Sequence, residues 1–210
     1  MRSICRKFLP VIVMLTATAT VFATHPASAT ESFFIGLPTD GIAMTHGGEV
    51  ALAAGPPGIA LLQETKIRNG FALLAKVRDV NDVVIGFASE LETFPTDSDM
   101  LSESVIWDTS WTVMIPGRGS IYLLEQEQSG ELGAKVIIPV QKTGEAWHGD
   151  WTVTTTVGPR PDGYGTIVGG SGEFAGASGK FLEIVTLTGF EPAGIMVGRV
   201  ELRLTFDQAQ

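Results

Sequence analysis

Cysteine is all but missing from this chain: Cys5 is the only one in 210 residues. It precedes the apolar N-terminal run, so it is not placed as a lipoprotein attachment site, and a lone thiol forms no internal disulfide. Histidine is nearly as scarce, with only His46 and His148 beyond residue 29. A zinc or transition-metal centre is therefore not expected, and neither a metal nor a cofactor is assigned. The acidic loop at Asp97 and Asp99 lacks the ligand spacing of a calcium site. Asn-x-Ser/Thr sequons are missing, so no N-glycan is expected. Beyond residue 29 no run is long and apolar enough to span a bilayer as a helix. Beyond Ile59 no stretch sustains a helical period.

Positive charge is the other shortage. The first 29 residues read as a cleavable signal peptide: Arg2, Arg6 and Lys7 form a basic start, Phe8–Ala23 an apolar core, and Ala27-Ser28-Ala29 a cleavage site. The expected location is secreted or periplasmic, with no membrane anchor. Cleavage leaves 11 basic residues against 23 acidic, a formal charge of −12. That excess disfavours nucleic acid and anionic membrane surfaces as partners. It leaves small uncharged ligands open. An exported chain without disulfides must rely on an ordinary hydrophobic core.

What is present is β patterning. Residues 30–58 contain the breakers Thr45-His46-Gly47-Gly48 and Gly55-Pro56-Pro57-Gly58, and read as an N-terminal extension. From Ile59 to residue 210 strand-like runs recur about every ten residues with turn chemistry between them, the signature of a sandwich or barrel. These runs are Ile59–Ile67, Phe71–Val77, Val83–Thr93, Glu103–Ile115, Ser120–Gln126, Lys135–Val140, Trp147–Val157, Gly165–Val168, Lys180–Leu187 and Ile195–Phe206. In the last, Met196, Gly198, Val200, Leu202, Leu204 and Phe206 share one face, as in a half-buried antiparallel strand. Closing such a sheet removes its edges, which favours a barrel.

Gly163–Glu183 organises the rest. Seven glycines fall in it, grouped as two corners between a short apolar run and a long β-branched one. Gly170-Ser171-Gly172-Glu173-Phe174-Ala175 mimics a dinucleotide fingerprint, but no helix follows it. Gly179-Lys180 is followed by Phe181, so it is no phosphate loop. Ser171 and Ser178 lack the frame of a nucleophile elbow.

The run Gly165–Gly179 resembles the glycine corner of the allene oxide cyclase-like and dirigent-like barrels, and Lys76–Phe87 resembles their opening strand. The resemblance covers roughly Lys76–Phe206. It implies an all-β fold, an eight-stranded antiparallel β-barrel with a ligand cavity, assembled as a homodimer or homotrimer. It also implies chemistry by orientation, in which a pocket folds a reactive apolar molecule so that one product forms.

Four tryptophans fall in two i, i+4 pairs, Trp107 with Trp111 and Trp147 with Trp151. Such positions share a strand face, so each pair is a candidate aromatic wall for a ligand. Barrel core or a subunit interface is the commoner role. Phe174 is expected to turn inward and plug an end of the core, and joins the tryptophans as a candidate ligand contact. If Ile121 and Leu123 face inward, Glu125 does too, and an interior carboxylate has a raised pKa suited to acid–base work. Tyr122 is a candidate proton donor and equally a core aromatic. Arg118, in the turn after Pro116-Gly117, is a candidate clamp for a ligand carboxylate, though turn arginines are usually just exposed. Glu90, Glu92 and Glu183 are further candidates for interior carboxylates; for each, a solvated outer face or strand end is the commoner outcome.

The expected function is binding of a small apolar molecule, with its cyclisation, isomerisation or elimination directed without a cofactor. A non-catalytic carrier and an oligomeric barrel filled by its own side chains are the alternatives. Fold alone does not choose among them.

Overall fold

The computed structural model describes residues 29–46, 69–95 and 102–207. Residues 1–28 of the expected signal peptide, the strand expected over Ile59–Ile67 and the loop at Asp97 and Asp99 lie outside the described residues. The strands are β1 (Thr30–Leu37), β2 (Gly41–His46), β3 (Gly70–Arg78), β4 (Val84–Thr93), β5 (Trp107–Ile115), β6 (Gly119–Glu127), β7 (Trp147–Thr154), β8 (Thr156–Gly158), β9 (Gly165–Gly170), β10 (Gly179–Phe190) and β11 (Met196–Phe206).

Eight of them close an antiparallel barrel in the order β1-β11-β10-β9-β6-β5-β4-β3, with β3 returning to β1 where Arg78 lies opposite Phe34. The alternation expected of β11 is the one observed: Val200, Leu202 and Leu204 are buried, while Arg199 and Arg203 face out. The same parity puts Phe33 and Ile35 of β1, Ala75 and Val77 of β3, and Ile121 and Leu123 of β6 into one continuous core.

The stretch expected to be an extension outside the barrel supplies one of its eight strands, β1, and also β2, which pairs with β3. Phe33, Ile35 and Leu37 alternate inward on β1, and burial of that face against β11 outweighs the breakers that follow. The turn into β2 is held by Asp40, whose buried carboxylate takes two hydrogen bonds from the Arg78 guanidinium and one from the Gly36 amide. Burial pushes the Asp40 carboxyl up, but these hydrogen bonds and the Arg78 charge outweigh it and hold its pKa below the ordinary value. This pair locks the β1–β3 seam, where only one residue pair joins the strands. The first barrel strand is therefore β1 and not Lys76–Phe87, which forms the end of β3, a turn and the start of β4.

Two further expectations are corrected. Lys135–Val140 is not a strand: a π-helical turn at Gly133–Ile137 runs into α1 (Ile138–Thr143) and ends at Gly144 in the left-handed conformation. Its apolar residues Val136, Ile137 and Val140 fall at i, i+1 and i+4, a helical face that packs on Phe190, Trp147 and Met196. Trp147–Val157 is broken at Thr155 into β7 and β8. Near one end of the barrel β9 fills the wall between β6 and β10. Towards the other end β8 pairs with β6 and β7 with β10.

The end formed by the β5–β6 turn is closed. Phe174, on a single 3-10 turn at Gly172–Phe174, is buried there and stacks on Phe206 at 6.2 Å. Two backbones cross beneath it: a Cβ on Gly119 would sit 2.0 Å from the Ser171 carbonyl oxygen, and one on Gly172 2.3 Å from that of Arg118. Both residues have positive φ, so glycine is required twice over.

Candidate functional site

The opposite end is open and leads to a cavity of about 370 Å³. Its wall is mainly apolar, with Ile35, Leu37, Met44, Phe71, Leu73, Phe94, Trp107, Trp151 and Val185 among the lining residues. Leu132 and Ile137, from the helical segment and its approach, form part of the rim. Glu90, Glu92, Glu127 and Glu183 also line it, and no lysine, arginine or histidine does among the described residues.

Strand register explains the cluster. Across β4–β5–β6, Glu90 lies opposite Trp111, Glu92 opposite Thr109, Thr109 opposite Glu125, and Trp107 opposite Glu127. All of these positions point inward by the parity that buries Ala88 on β4, Val113 on β5 and Leu123 on β6. Glu183 enters from β10 with Phe181.

Glu125 and Glu183 form an inner pair joined through Trp111 and Thr156. The Trp111 indole N–H donates to Glu125 Oε1 at 3.1 Å and to Glu183 Oε2 at 3.0 Å. The Thr156 hydroxyl donates to Glu125 Oε2 at 2.5 Å and accepts the Glu183 amide at 2.6 Å. The break between β7 and β8 makes this possible: the Thr155 amide bonds the Glu183 carbonyl and its carbonyl takes the Gln128 amide, so Thr156 is carried inward. Glu125 itself sits behind the cavity wall and does not line it.

The outer groups are less satisfied. Glu127 Oε1, Trp107 Nε1 and the Thr155 hydroxyl are buried, belong to residues that line the cavity, and have no hydrogen-bond partner among the described residues. Trp107 lies near enough to Glu92 to lower its pKa, yet outside hydrogen-bonding geometry.

All five carboxyls have raised pKa values. Burial is the first cause for each, and it brings Glu92 to about 8 and Glu183 to about 7. Glu90, Glu125 and Glu127 are raised well above the ordinary value by burial and then by the Glu183 charge. At neutral pH the cluster therefore mixes protonated carboxylic acids with one group, Glu183, near half-ionisation. It can both give and accept protons within a few ångströms.

Among the described residues, Glu90, Glu127 and Glu183 also form a trio whose oxygens lie within 4.8 Å of one another, a donor set suited to a hard cation.

The other site residues expected from the sequence are spread over the molecule. Trp107 and Trp151 line the cavity, and Trp111 fastens the inner glutamates. Trp147 packs against the helical segment instead. Phe174 plugs the closed end, so it faces the core and not the cavity. Arg118 is at that end too: it pairs with Glu31 and Glu173 and lies 4.9 Å over the Phe174 ring, which ties down the plug. Tyr122 falls on the outer face of β6 and is 42% exposed, because it has the opposite parity to Leu123 and Glu125. Neither Arg118 nor Tyr122 is brought to Glu125.

Glu127 and Thr156 were not singled out by sequence reasoning. Glu127 was within reach, since the parity that sends Glu125 inward sends Glu127 with it. Nothing marked the strand break that turns Thr156 inward. No protein-family model matches the chain, and no curated protein does.

Proposed function

We propose that this barrel admits a small, largely apolar molecule through its open end and catalyses a cofactor-independent isomerisation, cyclisation or elimination by proton transfer. One observation carries the reading: four glutamates, Glu90, Glu92, Glu127 and Glu183, stand together on the wall of a mainly apolar cavity, where burial raises the carboxyl pKa of each. In this reading Glu183, near half-ionised at neutral pH, accepts a proton from the substrate as carboxylate. Glu90 or Glu127, held protonated, returns one to the atom that gains electron density. The aromatic wall of Trp107, Trp151, Phe71 and Phe94 orients the substrate over these groups.

The resemblance to allene oxide cyclase-like and dirigent-like barrels supports the same reading, since it implies an eight-stranded barrel that orients reactive apolar molecules. With residues 1–29 as a signal peptide, the barrel works outside the cytoplasm. A homo-oligomer would cover Phe87, Leu91, Met114, Tyr122 and Leu124, which are exposed on the outer face of β4–β6.

The test is incubation of the mature protein with an apolar extract of its host, followed by mass spectrometry of the native complex and of the extracted small molecules. A new product, lost with Glu183→Gln by about a hundredfold or more, supports the enzyme. A ligand retained unchanged makes the protein a carrier. Neither binding nor turnover removes the reading.

A further inference from the structure

The cavity poses a charge problem that its own residues do not solve. Glu90, Glu92, Glu127 and Glu183 share one wall, and no basic side chain reaches them among the described residues. Buried carboxylates are retained at a cost unless a proton or a cation compensates them. Lysines and arginines near carboxylates are plentiful elsewhere in this barrel: Arg78 and Lys76 serve Asp40, Arg118 serves Glu31 and Glu173, and Arg203 serves Glu201. Among the described residues, Glu90, Glu127 and Glu183 on the cavity wall are buried without such a partner.

Independent of the acidic cluster, the cavity carries polar atoms without partners. Trp107 Nε1 and the Thr155 hydroxyl are over nine-tenths buried, with residue exposures of 8% and 7%, and their residues line the same space as Glu127. The Trp107 N–H calls for an acceptor, whereas Glu127 Oε1 calls for a donor or a positive charge. A bare divalent ion would meet the carboxylates of Glu90, Glu127 and Glu183, but it would leave the Trp107 N–H without an acceptor and the apolar wall uncovered. An organic ammonium that carries a hydrogen-bond acceptor beside its nitrogen answers both, with the acceptor taking the Trp107 N–H. Its N–H groups bond the carboxylates, its apolar body fills the cavity, and the aromatic faces of Trp107, Phe94 and Phe71 favour a cation.

We infer that the ligand of this cavity is an apolar amine bound as its ammonium ion, with the charged nitrogen held by Glu90, Glu127 and Glu183 and a hydrogen-bond acceptor near the nitrogen meeting Trp107. This rests on the reading of the barrel as a binder of small, largely apolar molecules and names the polar end of that molecule. Binding then displaces protons from the cluster, because a nearby cation favours the ionised form of each carboxyl.

The experiment is calorimetric titration of the mature protein at a pH of about 8 with paired probes: linear, cyclic and aromatic amines that carry an ether or hydroxyl oxygen beside the nitrogen, each set against the neutral alcohol in which hydroxyl replaces the amino group. The amine of a pair should bind about tenfold tighter or more, and repeating the titration in buffers of different ionisation enthalpy should show proton release. Glu127→Gln should cut amine affinity about tenfold and alcohol affinity by much less, because only the amine loses a charge partner; Glu90→Gln gives the same test if the first variant folds poorly. Equal binding of amines and alcohols keeps the apolar-ligand reading and overturns the cation. Binding of neither overturns both. Stabilisation by calcium or magnesium alone, with no response to amines, overturns the inference in favour of a metal site.

Discussion

The two ends of the barrel treat carboxylates in opposite ways. At the closed end Glu31 and Glu173 remain partly exposed and share Arg118, which also covers the Phe174 ring. At the open end Glu90, Glu92, Glu127 and Glu183 line the cavity, three of them buried, and no arginine or lysine lines it among the described residues. The closed end uses charge to secure a plug, at a surface where ion pairs are cheap to form. The open end holds charge back from solvent, which destabilises the apoprotein, and such an arrangement is a mark of a working site. The contrast separates residues that hold the barrel from residues that line its cavity.

Changing the pH tests this contrast most strongly. Folded-state values of about 8 for Glu92 and about 7 for Glu183 lie above the ordinary 4.5, so the folded chain binds more protons than the unfolded one between these limits. Their stabilising contribution is complete below the unfolded pKa and is lost as pH rises through the folded values. Glu183 alone accounts for a fall on the order of 3 kcal/mol, and the other glutamates add to it. The carboxylates with lowered values, Asp40 and Glu201 among them, act with the opposite sign but only in the acid range. The melting temperature should therefore fall between about pH 5 and about pH 8. A flat or rising profile would mean that the cluster ionises as freely as in solution.

Phe174→Ala tests the closed end. Loss of a buried aromatic plug should cost about 4 kcal/mol in denaturant unfolding. Because the cavity is at the other end, ligand affinity measured on the folded fraction should not change. A large change in affinity would mean that the two ends are coupled. Glu127→Gln should act in the opposite direction, raising the melting temperature of the apoprotein at a pH of about 8, since the amide removes a buried carboxyl that prefers to ionise in water. Destabilisation by this variant would place the Glu127 carboxyl in a structural network like that of Glu125. Arg118→Ala should cost only about 1 kcal/mol, because the guanidinium is 36% exposed and its pairs are screened. A larger loss would raise its packing on Phe174 above its ion pairs.

The barrel was legible where polarity and parity agree. On β11 and β6 apolar side chains point in, and the strand faces follow directly. On β4 the rule inverts: Leu91 is 55% exposed and Phe87 40% exposed, while Glu90 between them is buried at 5%. Hydrophobicity alone sends that strand's carboxylates to solvent, which is why Glu90 and Glu92 had a solvated face as their commoner expectation. Only their register with Trp111 and Thr109 puts them inside. The helical segment was hidden for a related reason. Its β-branched residues match strand propensity, and packing against Phe190 decides otherwise. Thr156 depends on a break in the wall between β6 and β10, a long-range feature that no local pattern carries.

The inverted strand leads to the smallest of these tests. If Phe87 and Leu91 are exposed because another copy covers them, the exposed Tyr122 and Leu124 on β6 belong to the same contact, since β5 joins the two strands. Tyr122→Phe then removes only a hydroxyl at a partly apolar surface. It should change stability by no more than a few tenths of a kcal/mol and leave turnover intact. Leu124→Lys instead puts a charge into that contact and should shift the protein to a smaller species in size-exclusion chromatography without altering its melting profile as a monomer. Should Tyr122→Phe abolish turnover, chemistry would have to occur on the outer face of β6, and the division between a closed structural end and an open functional end would fail at its centre.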